Sequence, residues 1–305
     1  ERFQKFWNAI RGACRMLCEL KWQFDIVTLF SDWSKYRLLL LPDFLELEGE
    51  MAERVRAHLE AGGVVLSTGW SGLDPQRQDF VFPEQWGIRY AGDDPYDPAY
   101  FRPAPEVAEG LPDMPITFYQ RGAAIEPLEG TRVLAEIIAP YYNRHWDGEH
   151  GFVYLPPDRP TGRAAATING QVAHIANPAC SAYYLDGQIP MRQFVANILR
   201  LLLPNPMVLA PGLPAFARAT VTEQSGRRMV HLLAYVPERR GDRVDMIEEP
   251  IELREVAVAL RADGRGVRRV YLAPDEVELP FEVRDGYIHT TVPHMPGHAM
   301  VVFEE

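Results

Sequence analysis

Residues 204–214, PNPMVLAPGLP, divide this chain into two unlike parts, because four prolines fall within them. A proline can neither continue a helix nor donate to a central strand. Before the divide, apolar runs alternate with segments of helical spacing. After it, short stretches of period two follow one another with no helical pattern between them. A chain built this way folds as one layered α/β region followed by one all-β region.

The first part opens on Phe3, Phe6, Trp7, Ile10, Cys14 and Leu17 at helical spacing. Phe24 to Phe30 then reads as a strand, and Tyr36 to Leu41 as a second one stopped by Pro42. Continuous apolar runs of this kind suit strands covered on both faces. Met51, Val55 and Leu59 recur at four-residue steps, and Gly62-Gly63 supplies a helix stop before the strand Val64 to Ser67. The order strand, strand, helix, strand predicts an open, mostly parallel sheet. Residues 74–130, dense in proline, aromatic residues and acids, read as long loops laid over that sheet. A strand resumes from Thr131 to Ala139. Arg163 to Ile168 and Gln171 to Ala176 form a pair turned at Asn169-Gly170. A helix opens at Pro190 and closes before Pro204.

The second part predicts an antiparallel β-sandwich, with a hairpin at Ser225-Gly226 and strands near 251–260, 268–273, 278–284, 286–293 and 298–304. The expected boundaries are residues 1–203 for the α/β domain, 204–211 for the linker and 212–305 for the sandwich.

Composition narrows the function classes. A formal charge of −11 opposes a nucleic-acid scaffold. Cys14, Cys18 and Cys180 make no disulfide framework and read as core or half-buried thiols. The greasy stretch around 200–216 is broken by prolines and cannot cross a membrane as a helix. No dinucleotide fingerprint and no G-K-[ST] phosphate loop is present, so no cofactor is expected. The loose spacing of His145 and His150, and the bend carrying His289, His294 and His298, predict no resident metal. Glu1 opens directly into an amphipathic segment, which suggests a piece of a larger protein. A cytoplasmic location is expected, with no membrane or nucleic-acid partner.

The turn after the third apolar run, Gly69-Trp70-Ser71-Gly72-Leu73, half-matches a nucleophile elbow but has Leu73 where a glycine belongs. The stretches GACRMLCELKWQFDIVTLF, YRLLLLPDFLEL and VRAHLEAGGVVLSTGWSGLD resemble the middle domain of family 42-type beta-galactosidases and related putative glycoside hydrolases. The resemblance covers about residues 1–203. It implies an upstream (β/α)8 barrel, a trimerisation-like domain of class I glutamine amidotransferase fold, a trimer, and a carbohydrate substrate in the parent protein. Against true amidotransferases, Thr68 or Ser67 occupies the cysteine slot, and His174 precedes Asn177-Pro178 where the late histidine motif belongs. A hydroxyl without a base is a weak nucleophile. Ser67, Thr68, Ser71 and His174 therefore read as a degenerate nucleophile region, and no catalytic residue is assigned. Cys180 near His174 gives no dyad signal.

A glycosidase needs two carboxylates across the bond that it cuts. Asp93, Asp94, Asp97 and Glu149 fall in loops and read as solvated acids. PYYNRHWDGEHGFVYLPP, residues 140–157, is the richest local stretch. Trp146 could stack on a sugar, and Arg144, His145 and Glu149 could bond it, or the same four could form an inter-subunit rim. The sequence thus points to the noncatalytic assembly and accessory region of a beta-galactosidase-like glycoside hydrolase that forms homo-oligomers, a trimer favoured by the resemblance. The alternatives are an autonomous amidotransferase-like hydrolase with a divergent nucleophile, and a carbohydrate-binding module.

Overall fold

A computed structural model describes residues 2–143 and 155–305. The chain forms two compact units, one running through Met16 and again from Ile26 to Pro204, the other comprising Leu17–Asp25 and Asn205–Glu305.

In the first unit the elements follow in the order α1 (Arg2–Glu19), β1 (Leu38–Leu41), α2 (Gly49–Glu60), β2 (Val64–Thr68), α3 (Pro83–Trp86), β3 (Ile88–Asp93), β4 (Ala99–Pro103), β5 (Ile116–Phe118), β6 (Ala123–Pro127), β7 (Arg132–Pro140), β8 (Pro157–Asn169), β9 (Val172–Ile175), α4 (Ala179–Asp186) and α5 (Ile189–Leu202). One seven-stranded sheet has the order β1-β2-β9-β8-β7-β4-β5, and β3 pairs with β6 beside it. The α/β expectation holds at this level, but the sheet is mixed. Only β1–β2 and β2–β9 are parallel, and the remaining four pairs are antiparallel. Repeated register shifts between β7 and β8 curl it.

Two local expectations are corrected. Residues 74–130 hold four strands, not long loops, because strands of three to six residues fit between the prolines instead of being forbidden by them. Pro98 precedes β4 and Pro103 ends it. In the other direction, Phe24 to Phe30 forms no strand. It pairs with no strand among the described residues, and Phe30 is 99% exposed.

The core of this unit gathers Leu39 and Val65 from the sheet, Val55 and Leu59 from α2, and Trp86 of α3. A second aromatic knot joins Phe101, Phe118 and Phe194, with ring centroids 4.4 and 4.7 Å apart.

The second unit holds β10 (Val208–Leu209), β11 (Arg218–Gln224), β12 (Arg227–Leu233), β13 (Glu238–Gly241), β14 (Val244–Met246), β15 (Glu252–Arg261), β16 (Arg269–Ala273), β17 (Val277–Glu278), β18 (Phe281–Arg284), β19 (Tyr287–Pro296) and β20 (His298–Glu304). A four-stranded sheet, β10-β15-β19-β18, and a five-stranded one, β11-β12-β20-β16-β17, are antiparallel throughout. Val230, Val258, Ile288, Val301 and Phe303 share one core, as the period-two pattern requires. The hairpin β13–β14 stands as a separate ribbon.

The segment after α1 belongs to this unit through specific bonds. Lys21 Nζ donates to the carbonyls of Glu19 (2.9 Å), Pro214 (2.9 Å), Ala215 (3.3 Å) and Ala217 (2.7 Å). Gln23 donates to Ala219 O at 2.9 Å and accepts from Val221 N at 2.8 Å. Among the described residues no helix is long and apolar enough to cross a membrane.

Candidate functional site

In an open α/β sheet, ligands gather where the parallel strands end at their carboxyl termini. Here those ends are the residues after β1, β2 and β9, and they are knitted together. Trp70 N donates to Asp43 O at 2.6 Å, and Gly69 N lies 2.8 Å from Ile175 O and 3.1 Å from Asn177 O. Gly69 has φ +61°, and a Cβ built there would sit 2.8 Å from Asp43 O and 3.3 Å from Pro178 Cα. The turn thus needs glycine twice, for its left-handed backbone and for the close approach.

At the centre of this knot lies the Asp43 carboxylate, fully buried. It accepts from Thr68 Oγ1 at 2.5 Å, Cys180 N at 3.2 Å, Ser181 N at 2.6 Å and the Ser181 hydroxyl. Burial raises its pKa, while the Ser181 and Thr68 bonds pull it down. Two of those donors are the first free N–H groups of α4, so Asp43 caps that helix from a distant part of the chain. The place where an anionic ligand would sit is filled by the protein's own carboxylate.

The residues of the sequence-derived nucleophile region all come together here, and each hydroxyl is engaged. Thr68 Oγ1 donates to Asp43 and accepts from Asp43 N at 2.9 Å. Ser71 Oγ accepts from Leu45 N at 3.0 Å. Ser67 Oγ accepts from Trp86 Nε1 at 2.9 Å and meets His174 Nδ1 at 2.8 Å. Indole N–H can only donate, so Ser67 Oγ accepts it and has one proton and one further lone pair left for His174 Nδ1 and for Ala173 O at 3.5 Å. His174 Nε2 is buried with no hydrogen-bond partner among the described residues. Burial lowers the His174 pKa to about 3, leaving the ring neutral. Cys180 Sγ contacts Thr68 Oγ1 at 3.7 Å, and burial first, then Asp43, pushes its thiol well up.

Outside the knot, Asp93 is exposed and Tyr90 half-buried, whereas Trp70 (9% exposed) and Asp94 (1%) are buried. Trp70 stacks on Phe44 at 5.5 Å, with Arg77 over its ring, and its Nε1 donates to Asp93 Oδ1 at 2.9 Å. Tyr90 OH donates to the same oxygen at 3.1 Å. Burial raises the Asp94 carboxyl, against a bond from Tyr96 N and the charges of Arg163 and Arg121. Asn143 binds Pro95 O and Asp97 N at 2.7 and 3.3 Å. Arg144, His145, Trp146 and Glu149 follow directly and lie outside the described residues.

Trp70, Tyr90 and Asp43 escaped the sequence reading. Only the position of Asp43, just beyond a strand and its stopping Pro42, offered a signal. Among the described residues no group of three or more His, Cys, Asp or Glu side chains could hold a metal ion. The late histidines part company: His294 pairs with Glu252 at 3.4 Å, and His298 stacks on His231.

Comparison with known proteins adds a second line. Residues 6–86 match the family described as the Beta-galactosidase trimerisation domain. No curated protein matches. Among solved structures, the alpha-L-fucosidase isoenzyme 2 from Paenibacillus thiaminolyticus is similar over 96% of this chain and 44% of its own, at 34% identity and TM-score 0.87. A beta-galactosidase from Rahnella sp. R3 (17% identity, TM-score 0.58) and Gan42B, a GH42 beta-galactosidase from G. stearothermophilus (14%, TM-score 0.59), each match 96% of this chain and 36% of theirs. The chain therefore spans less than half the length of each.

Two expectations fall to these findings. The chain is not to be read as the C-terminal part of a family 42-type beta-galactosidase, because the likeness to a fucosidase is far stronger in both identity and fold. The noncatalytic assembly and accessory reading falls with it, since nearly the whole chain, not only residues 6–86, aligns with a catalytic glycosidase. The chain carries a trimerisation-like domain and shares its fold with glycoside hydrolases.

Proposed function

We propose that this protein is a glycoside hydrolase acting on α-L-fucosides, held as a homotrimer by its first unit. The observation that carries the reading is the 34% identity to a fucosidase over 96% of the chain. The beta-galactosidases, at 14 and 17%, support the fold alone.

Within the first unit, Tyr90 and the exposed Asp93 face the sugar, with the buried Trp70 holding Asp93 in place; Arg144, His145, Trp146 and Glu149 are assigned as sugar or inter-subunit contacts. A phenol beside an exposed carboxylate suits a pyranose, whose hydroxyls both donate and accept. Ser67, Thr68, Ser71 and His174 act as scaffold, not as nucleophiles, because each hydroxyl is buried and held by a neighbour (His174, Asp43 and Leu45 N) and the His174 ring is buried. The three parallel strands and their filled turn support descent of the sheet from an amidotransferase-like fold. Three free cysteines fit a reducing compartment, which favours the cytoplasm.

The test is hydrolysis of 4-nitrophenyl α-L-fucoside and 4-nitrophenyl β-D-galactoside by the purified protein. Fucoside turnover above galactoside turnover is expected, with KM raised by Asp93→Ala. Preference for the galactoside, or no turnover of either, overturns the reading.

A further inference from the structure

The outer face of the four-stranded sheet in the second unit carries a cleft that the fucosidase reading does not use. Strand alternation sets which side chains face it. Ile288 and Val292 of β19, with Val256, Val258 and Leu260 of β15, enter the core. His289 and Thr291, with Ala257 and Ala259, therefore stand on the opposite face. Register places Leu209 beside Ala259, Ala259 beside His289, and His289 beside Glu282 in one row across four strands. Ala257 faces Thr291 in the next row. Two alanines on a central strand between longer side chains leave a trough of about 500 Å³. That volume falls in the range of ordinary ligand clefts, roughly 300–1,000 Å³.

The chemistry of the trough is mixed. Its floor is apolar, made of Ala257, Ala259 and Leu209. One wall is polar. Glu282 and Arg284 form an ion pair of 3.2 Å with both side chains largely exposed, so it is weakly held and free to turn onto a ligand. His289 Nε2 is screened from solvent and has no hydrogen-bond partner among the described residues, although buried polar atoms ordinarily find one. One acid and one base leave no net charge to select an anion. An acceptor, a forked donor and an imidazole match hydroxyls, which both donate and accept. The apolar floor matches a methyl group.

We infer that this cleft binds the terminal 6-deoxyhexose of a glycan, with ring hydroxyls on Glu282, Arg284 and His289 and the C5 methyl over Ala257 and Ala259. It is a docking site in the β unit, separate from the Tyr90 and Asp93 surface proposed above. The choice of sugar rests on the fucosidase reading, while the cleft itself does not.

Calorimetric titration of the whole chain with methyl α-L-fucoside tests it. The comparison ligand is methyl α-L-galactoside, which differs only by a hydroxyl on C6. Binding of the fucoside is expected, with the galactoside at least about fivefold weaker because its extra hydroxyl would be stranded on the alanine floor. Ala257→Leu fills the trough and should abolish this binding without changing turnover of the aryl fucoside. His289→Ala should weaken it about tenfold, as loss of one hydrogen bond does, and His289→Gln should recover part of it. Should Ala257→Leu lower the melting temperature, the His289 pair decides alone. Absent binding in a protein that hydrolyses the aryl fucoside overturns the inference and leaves the proposed activity standing. Binding sensitive to Ala257→Leu in a protein with no glycosidase activity does the reverse. Binding unaffected by Ala257→Leu and His289→Ala, or equal binding of both glycosides, overturns the inference.

Discussion

Asp43 in the first unit and Lys21 in the second are buried charged groups of opposite sign, and the two are satisfied in different ways. Asp43 in the first unit is 0% exposed and Lys21 in the second 7% exposed. Neither leans on an ion pair alone: Asp43 takes N–H and O–H donors, and Lys21 takes four carbonyls. Dipoles fixed by the fold replace the lost hydration of each charge. The difference lies in who supplies them. The Asp43 shell includes the side chains of Thr68 and Ser181, whereas Lys21 donates to four backbone carbonyls. The first knot can be taken apart one side chain at a time. Those four carbonyls lose their donor only when the lysine itself is replaced.

Asp43→Ala is the strongest test of this contrast. It strands four donors at the meeting of three strand ends and should cost about 3–5 kcal/mol, read by urea denaturation. A loss under about 1 kcal/mol would show that the carboxylate does not organise the site. Lys21→Met keeps the aliphatic stem and removes only the ammonium. A loss of about 2–3 kcal/mol is expected, confined to the transition of the second unit if the units unfold separately. A loss in the first unit instead would break the comparison.

Acid should act through His174 next. Its pKa falls from an ordinary 6.5 to about 3 on folding, so the unfolded chain binds the proton first. The stability that this ring contributes is complete above 6.5 and is lost as pH falls toward 3, at about 1.4 kcal/mol per pH unit. Asp43 runs the other way. Burial raises its pKa, so its proton-linked contribution is complete below 3.8 and is lost as pH rises through the folded value. Comparing wild type with His174→Asn isolates the histidine slope, and equal slopes between pH 4 and 6 would refute it. The smallest effect belongs to Thr68→Val, which removes one of the donors to Asp43 and the acceptor of its N–H. About 1–2 kcal/mol is expected from denaturation curves, with the proposed aryl-fucoside turnover unchanged per folded molecule.

The same contrast explains what could be read from sequence. The change of period at 204–214, the stop at Gly62-Gly63 and the helix ending before Pro204 depend on neighbours in the chain, and all appear in the structure. Ser67, Thr68, Ser71 and His174 were legible as a group because they fall at strand ends. Asp43 was not, because its partners Thr68 and Ser181 lie 25 and 138 residues away. Lys21 was hidden more deeply, since backbone carbonyls leave no letter in a sequence. Strands β3 to β6 were obscured by their prolines, whose density marks strand ends here and not loops. Phe24 to Phe30 misled in the opposite sense, since an apolar run becomes a strand only when a neighbour offers its ladder.

Gly69 bears on how this fold can change. A side chain at that turn would collide with Asp43 and Pro178 backbone on one side and carry an unfavourable φ on the other. Single substitutions cannot place a reactive side chain there without first parting three loops, so the turn is locked against new chemistry at the strand ends. New specificity has to arise in the surrounding loops, where residues can change without moving the knot beneath them.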